Sequence, residues 1–270
     1  MSTGSLTIVG TGIQFVGDVT LAAKAWIEQA DKVLFATADP VTGEWLRTLN
    51  ASAEPLFYDH DKQRYQRRRE MYREMVARIL TEVRQGLRVC AVFYGHPGVF
   101  VDASHEAIRQ AGREGFKARM LPGISAQACL FADLGIDPGR NGCQSFDATD
   151  FLIRSRQFDP HSSLILWQIA LIGYLGFDQE EVNQVGIQIL TERLQKHYGP
   201  NHEVILYEAA IYAVSKPVIQ PVHLHQLPQT TFSERATLYV PPKGPAPINA
   251  DMMARLGLSS LLPETRKGEN

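Results

Sequence analysis

Short apolar runs alternate with longer amphipathic segments in the first half of the chain. Each run has the length of a buried strand, and the segments between them carry apolar residues at helical spacing. The pattern predicts strands at 6–9, 33–36, 87–94 and 117–121. It predicts helices at 20–30, 65–84 and 101–112, and a further helix that opens at Ser125. Alternation of this kind favours an α/β fold with a mainly parallel sheet covered by helices.

The second half repeats the pattern after a segment rich in turn-forming residues at 135–141. Here the sequence predicts strands at 164–169, 204–207 and 237–240, and helices at 180–197 and 250–256. We therefore expect two α/β domains, 1–135 and 136–245, followed by a C-terminal tail at 246–270. The apolar run 164–177 is too short to span a bilayer and contains Gln168 and Gly173, so it predicts buried core.

Composition narrows the classes of function. The chain has 270 residues, 44% of them hydrophobic, and a net charge of −2, which argues against a nucleic acid or another polyanion as partner. A basic run covers 64–69, and we expect Arg64, Arg67 and Arg69 in it to be solvated.

The cysteines and the N-terminus bear on the location of the protein. Cys90, Cys129 and Cys143 are scattered and have neither disulfide nor zinc spacing, so they predict plain thiols in a reducing compartment. The first residues lack the pattern of a signal peptide. We expect a cytoplasmic protein that does not bind membranes.

Three glycine-bearing turns follow predicted strands: Gly10-Thr11-Gly12, Gly95-His96-Pro97-Gly98-Val99 and Pro122-Gly123-Ile124-Ser125-Ala126. Ligands of open α/β sheets bind beyond the carboxyl ends of the strands, where glycine leaves room beside the backbone. One such turn indicates only a tight turn, and the first is not a dinucleotide fingerprint because Phe15 stands where the third glycine belongs. Three together predict a binding crevice.

The helix predicted at 65–84 carries a candidate reactive face. Tyr65, Arg68 and Tyr72 stand at i, i+3 and i+7, and a cation beside a phenol favours the phenolate. The alternative is an amphipathic helix whose tyrosines belong to a core stripe with Met75 and Ile79. Spacing alone does not choose between these interpretations.

The remaining candidate side chains exclude other chemistries. No Cys, His or carboxylate cluster at metal spacing surrounds His96, so no metal is expected. The sequence contains no Gly-x-Ser-x-Gly elbow, which disfavours a hydrolase. His105 lies in a predicted helix without a motif and is expected to be a surface or packing residue.

The segments GSLTIVGTGI, VFYGHPGVF, ARMLPGISA and LFADLGIDP resemble the tetrapyrrole methylase superfamily, and within it the borosin peptide α-N-methyltransferases. The resemblance extends through LILWQIA, YEAA and ATLYVPP and covers almost the whole chain. It implies a two-domain tetrapyrrole-methylase-like fold (class III methyltransferase) with S-adenosylmethionine in the inter-domain cleft and S-adenosylhomocysteine as product. The first turn, GTGIQFVGD, departs from the G-x-G-P-G-D form of cobalamin-pathway relatives, which weakens a tetrapyrrole substrate.

The resemblance also assigns residues by position. The implied catalytic residues are Arg68 and Tyr72, the upstream Tyr58, and Tyr94 at the methyl-transfer site. The implied cofactor contacts are Tyr94, His96, Val99, Ser125, Ala126, Gln168, Ala209, Ala236 and Thr237. His96 is expected to act mainly through its backbone.

The implied reaction is iterative methylation of backbone amides in a ribosomal precursor peptide. Because the tail after 245 is polar and lacks an apolar core-peptide stretch, we expect the precursor to be a separate polypeptide. The resemblance further implies an interlocked homodimer, which two precursors would extend to a heterotetramer. The alternatives are a methyltransferase of a tetrapyrrole-like small molecule and a non-catalytic module that binds cofactor or peptide.

Overall fold

A computed structural model describes residues 4–37, 39–57, 68–174 and 182–258. The first half forms a parallel five-stranded sheet in the order β3-β2-β4-β1-β5. Its strands are β1 (Ser5–Gly10), β2 (Lys32–Ala36), β3 (Glu54–Pro55), β4 (Arg88–Phe93) and β5 (Lys117–Met120).

Helices cover both faces of this sheet. They are α1 (Leu21–Gln29), α2 (Pro40–Leu49), α3 (Arg68–Arg84) and α4 (Asp102–Arg113). Successive strand residues point to opposite faces, so Ile8 packs with α3 and α4, whereas Val9 packs with α1 and α2. The near-continuous apolar strands follow from this burial on both sides.

The second half forms a mixed five-stranded sheet in the order β6-β7-β10-β8-β9. Its strands are β6 (Cys143–Asp147), β7 (Ser163–Trp167), β8 (Glu203–Glu208), β9 (Val218–His223) and β10 (Thr237–Val240). Only the β6–β7 pair is parallel within this sheet.

Helices α5 (Ala126–Leu134), α7 (Ala148–Ile153) and α8 (Gln184–Tyr198) flank the second sheet. Two shorter helices, α6 (Pro138–Asn141) and α9 (Ala250–Arg255), contain no buried residue. Phe151 of α7 and Leu190 of α8 share a core with Leu166, while Leu130 of α5 packs on the other face against Ile165. Thus α5 packs on the second sheet although it precedes the predicted boundary at 135. The limits of the two domains, 1–135 and 136–245, stay a prediction.

The α/β architecture predicted from the sequence is confirmed, and the predicted strands lie within about two residues of the observed ones. Helix α2 was not predicted; it is capped by Asp39, whose Oδ1 accepts a hydrogen bond from Thr42 N at 2.9 Å. The strands β3, β6 and β9 were also not predicted. The edge strand β9 is mostly exposed and lacks an apolar run.

The predicted core run 164–177 is largely buried from Leu164 to Ile172, whereas Gly173 is exposed and 175–177 lie outside the described residues. Within the described ranges, no helix combines the length and the apolar character that a membrane crossing requires.

Candidate active site

The three glycine-bearing turns lie together at the carboxyl edge of the first sheet. Gly12 and Gly95 pair through their backbones, with N–O distances of 3.2 and 2.9 Å. A Cβ on Gly10 would stand 2.0 Å from the Gly95 carbonyl oxygen, and one on Gly123 would stand 3.1 Å from the same atom. The turns therefore pack on one another around Gly95, and at Gly10 and Gly123 a carbonyl fills the space that the sequence analysis assigned to a ligand.

Histidine side chains shape the second turn. The backbone N–H of Gly98 donates to Nδ1 of His96 at 3.0 Å, so the side chain of His96 is engaged within the turn. His105 on α4 donates from Nε2 to the Gly98 carbonyl oxygen at 2.9 Å. No sequence motif marked His105 as part of this turn. The feature that could have indicated it is Gly98, because a Cβ at this position would contact Met120 and the rings of His96 and His105.

The cofactor residues predicted in the second half lie at one edge of the second sheet. Gln168 follows β7, Ala209 follows β8, and Thr237 opens β10 beside Tyr207. Because β10 runs antiparallel to β7 and β8, its start lies beside both of their ends. Ala236 immediately precedes Thr237 and is 4% exposed.

Gln168 has a left-handed backbone conformation, with φ 57° and ψ 38°. A non-glycine residue held in this region costs about 1–2 kcal/mol. Such strain is maintained where the surrounding structure fixes the residue, often at a ligand site.

The edges of the two sheets that carry the predicted site residues face each other. The N–H of Phe15, in the first turn, donates to the Ile211 carbonyl oxygen beyond β8 at 2.6 Å. The ring of Phe100, just after the second turn, lies 5.8 Å from the ring of Trp167 at the end of β7. The turns after β1 and β4 thus contact the loops that carry Ala209 and Gln168.

Tyr94 lies in this cleft and is largely buried. Burial raises the pKa of the Tyr94 phenol to about 12, and the positive charge of Arg235 partly opposes the shift. The phenol is therefore protonated near neutral pH and can donate a hydrogen bond. Arg235 is itself paired with Glu208, Nη2 to Oε1 at 2.6 Å, and Ser233 also donates to Glu208.

Sequence reasoning missed Glu208 and Arg235 as neighbours of Tyr94. Glu208 lies within the YEAA segment and Arg235 directly precedes Ala236, so both stood beside predicted positions. Their pairing follows from the β8–β10 register, which neither segment reveals alone.

A pocket of about 560 Å³ joins the two halves of the molecule. Tyr72 from α3 and Gln168 from the end of β7 both line it, so the structure brings a predicted catalytic residue and a predicted cofactor contact together. The other lining residues are Arg69, Phe100, Asp102, Asp147, Thr149, Asp150, Ile153, Leu171 and Tyr174. Its volume lies within the range of about 300–1,000 Å³ typical of small-molecule sites.

The helix predicted to carry the catalytic residues, α3, is described in part. Arg68 is the first residue of α3, but its side chain lies outside the described atoms, and Tyr58 and Tyr65 lie outside the described residues. Tyr72 is half-buried, whereas Met75 and Ile79 are core as the stripe predicted. Arg69 is exposed as expected, yet it lines the same pocket as Tyr72.

Comparison with known families decides the affiliation. The profile of the tetrapyrrole (corrin/porphyrin) methylases matches residues 5–222. The chain belongs to the tetrapyrrole methylase family. Solved structures share the fold: uroporphyrin-III-C-methyltransferase from Thermus thermophilus has a TM-score of 0.61 at 18% identity, over 98% of this chain and 99% of that one. Cobalt precorrin-4 methyltransferase gives 0.61 at 16% identity, over 89% and 96% of the two chains.

More similar relatives of this chain are methyltransferases joined to peptide precursors. The methyltransferase/dendrothelin A precursor of Dendrothele bispora is 43% identical over 94% of this chain, which spans 61% of that relative. The methyltransferase/omphalotin A precursor of Omphalotus olearius is 42% identical over 94% of this chain, which spans 62% of it.

Proposed function

We propose that this member of the tetrapyrrole methylase family is an S-adenosylmethionine-dependent enzyme that methylates backbone amide nitrogens of a peptide. The observation that carries the proposal is the shared pocket, in which Tyr72 of the catalytic helix and Gln168 of the opposite sheet line one space. The similarity to methyltransferases that are fused to cyclic-peptide precursors supports the peptide as substrate class.

Of the predicted cofactor residues, Gln168 lines the 560 Å³ pocket, and the others lie outside its lining. S-Adenosylmethionine supplies an electrophilic methyl group when bound, and its size suits a pocket between two sheet edges. Strain at Gln168 and the buried small residue Ala236 favour a site built for close approach. The residues that would hold it are Tyr94, His96, Val99, Ser125, Ala126, Gln168, Ala209, Ala236 and Thr237.

The acceptor nitrogen requires activation. Resonance with the carbonyl makes an amide nitrogen a poor nucleophile, so the enzyme needs a base for the N–H proton or donors for the amide oxygen. Tyr72 is placed to remove the proton or to position the amide, and Arg68 to hold the negative charge that develops on oxygen. Tyr94, whose pKa is about 12, is suited to donate a hydrogen bond and not to act as the base.

The proposal includes a separate precursor polypeptide and a homodimeric enzyme, which together would give the heterotetramer. Neither arrangement is needed for the chemistry of a single site. The product of each turnover is S-adenosylhomocysteine.

Mass spectrometry tests the proposal. The protein is incubated with S-adenosylmethionine and either synthetic apolar peptides or a tetrapyrrole, and the products are fragmented. Successive gains of one methylene mass on backbone nitrogens of the peptide are the expected result. Methylation of the tetrapyrrole alone would overturn it, and gains on the enzyme's own chain would replace the separate precursor by a fused one.

A further inference from the structure

A separate pocket lies in the second half of the molecule, between one face of α8 and the chain at 155–158 that follows α7. Its volume is about 430 Å³, within the range of about 300–1,000 Å³ typical of small-molecule sites. Of the described residues, none lines both this pocket and the pocket that contains Tyr72 and Gln168. It is therefore distinct from the candidate active site.

The pocket is positively charged on a chain with a net charge of −2. Among the described residues, three cations line it, Arg156, Arg193 and Lys196, against the single carboxylate of Glu192. Arg156 is paired outside the lining with Asp150, Nε to Oδ2 at 2.7 Å. The ammonium of Lys196 is exposed and forms no ion pair or hydrogen bond with another described residue. Positive charge is thus left uncompensated on this face of α8.

The guanidinium of Arg193 is half-buried and held in a fixed position. Its Nη2 donates to the Arg156 carbonyl oxygen at 2.6 Å, and its central carbon lies 4.2 Å from the centroid of the Phe151 ring. Its other N–H groups have no acceptor within the described part of the chain, and burial lowers the pKa of the guanidinium. Arg193 therefore presents a preorganised fork of unused donors, the geometry that binds oxyanions.

The turn after α7 fixes the opposite wall of the pocket. The N–H of Ser155 donates to the Leu152 carbonyl oxygen at 3.2 Å, and the N–H of Arg156 donates to that of Phe151 at 3.2 Å. Ser155 has a left-handed backbone, with φ 47°, at a position where helices usually end in glycine. This closed turn aims the Arg156 carbonyl oxygen at Arg193, so the donor fork is formed before any ligand arrives.

An accessible apolar surface lies beside the cations. Leu152 and Phe158 line the pocket and are half-buried, and Ile189 lines it and is 49% exposed. The ring of His197 lies 4.7 Å from the ring of Phe158 in an edge-on arrangement. An apolar surface next to fixed cations suits a ligand that has an anionic head and a compact apolar body.

We propose that this pocket binds a small phosphate monoester with an apolar body. A phosphate monoester carries about 1.5 to 2 negative charges near pH 7 and offers three oxygens, so it matches three cations better than a carboxylate with one charge. Arg193 donates its unused N–H groups to the phosphate, and Lys196 and Arg156 supply further positive charge. The apolar body rests on Phe158. This binding does not depend on the proposed methyl transfer.

Isothermal titration calorimetry of the full chain tests the site. Phenyl phosphate is the probe with both the charge and the apolar body, whereas inorganic phosphate has only the charge and phenol only the body. We expect phenyl phosphate to bind at least about tenfold more tightly than either of the others. No measurable binding of phenyl phosphate at millimolar concentration, or equal affinity for phenyl phosphate and inorganic phosphate, would overturn the proposal.

Substitutions locate the binding. Lys196→Glu reverses the charge at an exposed position that supports no described contact, and it should weaken phenyl phosphate binding at least about tenfold. Arg193→Lys keeps the charge but loses the fork, and it should weaken binding about threefold or more. Arg140→Glu is the matched control, since Arg140 is exposed on α6 and does not line the pocket. Equal weakening by Lys196→Glu and Arg140→Glu would overturn the site in favour of general charge attraction.

A phosphotyrosine peptide distinguishes a small molecule from a phosphorylated protein. An affinity equal to or below that of phenyl phosphate supports the small-molecule site. Binding at least about tenfold tighter than that of phenyl phosphate would overturn it in favour of a protein partner. Because these titrations need neither S-adenosylmethionine nor an acceptor peptide, a failure of the proposed methyl transfer would leave their result unchanged.

Discussion

The hydroxyl of Tyr207 donates a 2.6 Å hydrogen bond to Oδ2 of Asp133. Tyr207 is buried in β8, and Asp133 lies on α5, whose first turn carries the predicted cofactor residues Ser125 and Ala126. The bond therefore fixes the helix that follows the third turn against the second sheet. Burial and this bond both raise the pKa of the Tyr207 phenol, so it is a donor throughout the working pH range.

Removing that hydroxyl should loosen α5. We expect Tyr207→Phe to lower the free energy of unfolding by about 1–2 kcal/mol and to weaken cofactor binding, because the third turn loses its anchor. Urea unfolding and calorimetric titration with S-adenosylmethionine check both effects. Tyr239→Phe is the control: its hydroxyl lies 3.1 Å from Ser163 and not on α5, so cofactor affinity should not change.

Gly10 is expected to be intolerant of any side chain. A Cβ there would stand 2.0 Å from the carbonyl oxygen of Gly95, so Gly10→Ala must push the first two turns apart. We expect a loss of several kcal/mol of stability, measured by thermal unfolding. Gly112→Ala is the matched control, since nothing lies within 4 Å of its Cβ and Gly112 is in α4; it should stabilise by about 0.5–1 kcal/mol. Equal effects of the two variants would refute the packing of turns around Gly95.

Two substitutions at Gln168 should separate the cost of its backbone strain from its contribution to cofactor binding. Gln168→Gly and Gln168→Ala both remove the amide from the pocket, and both should reduce cofactor affinity. Only glycine relieves the left-handed backbone, so Gln168→Gly should be more stable than Gln168→Ala by about 1 kcal/mol. Titration and urea unfolding of the pair measure this. A wild-type affinity in both variants would remove Gln168 from the cofactor site.

Tyr72→Phe should bind cofactor normally and lose turnover by about 100-fold or more, as expected for loss of a positioned base. Arg68→Ala should behave in the same way. Single-turnover mass spectrometry with a saturating peptide measures the rate, and equilibrium titration measures cofactor binding. Tyr212→Phe, at an exposed ring beyond β8, is the control with wild-type turnover. Unchanged rates in the Tyr72 and Arg68 variants would show that the reactive face lies elsewhere.

Alkaline pH should destabilise the fold. Burial raises the pKa of the Cys90 thiol from 9.0 to about 12 and contributes most to the rise of the Tyr94 pKa from 10.0 to about 12. Between these values the unfolded state releases protons that the folded state retains, so the free energy of unfolding falls as pH rises above about 9. One group contributes up to about 1.4 kcal/mol per pH unit. Urea unfolding from pH 8 to 10.5 should show a shallower decline for Cys90→Ala; an unchanged slope would argue against the shift at Cys90.

The regular pattern of the sequence determined four of the five strands of the first sheet and missed the two-residue edge strand β3 (Glu54–Pro55). Buried parallel strands such as β1 and β4 are nearly continuously apolar, and the turns after them contain glycine. Both the apolar run and the glycine can be recognised from the local sequence alone. The stripe of Met75 and Ile79 likewise predicted the buried face of α3. Family motifs added the residues at the edge of the second sheet, which periodicity alone does not distinguish from other loops.

The tertiary structure decided what these residues contact. Pairing of Tyr207 with Asp133, the ion pair beside Tyr94 and the shared pocket of Tyr72 and Gln168 all join residues far apart in the chain. Such contacts depend on strand order and register, which local propensity does not encode. For the same reason, the sequence indicated that another atom lies close to the backbone of Gly10, but only the fold identified that atom as the Gly95 carbonyl oxygen.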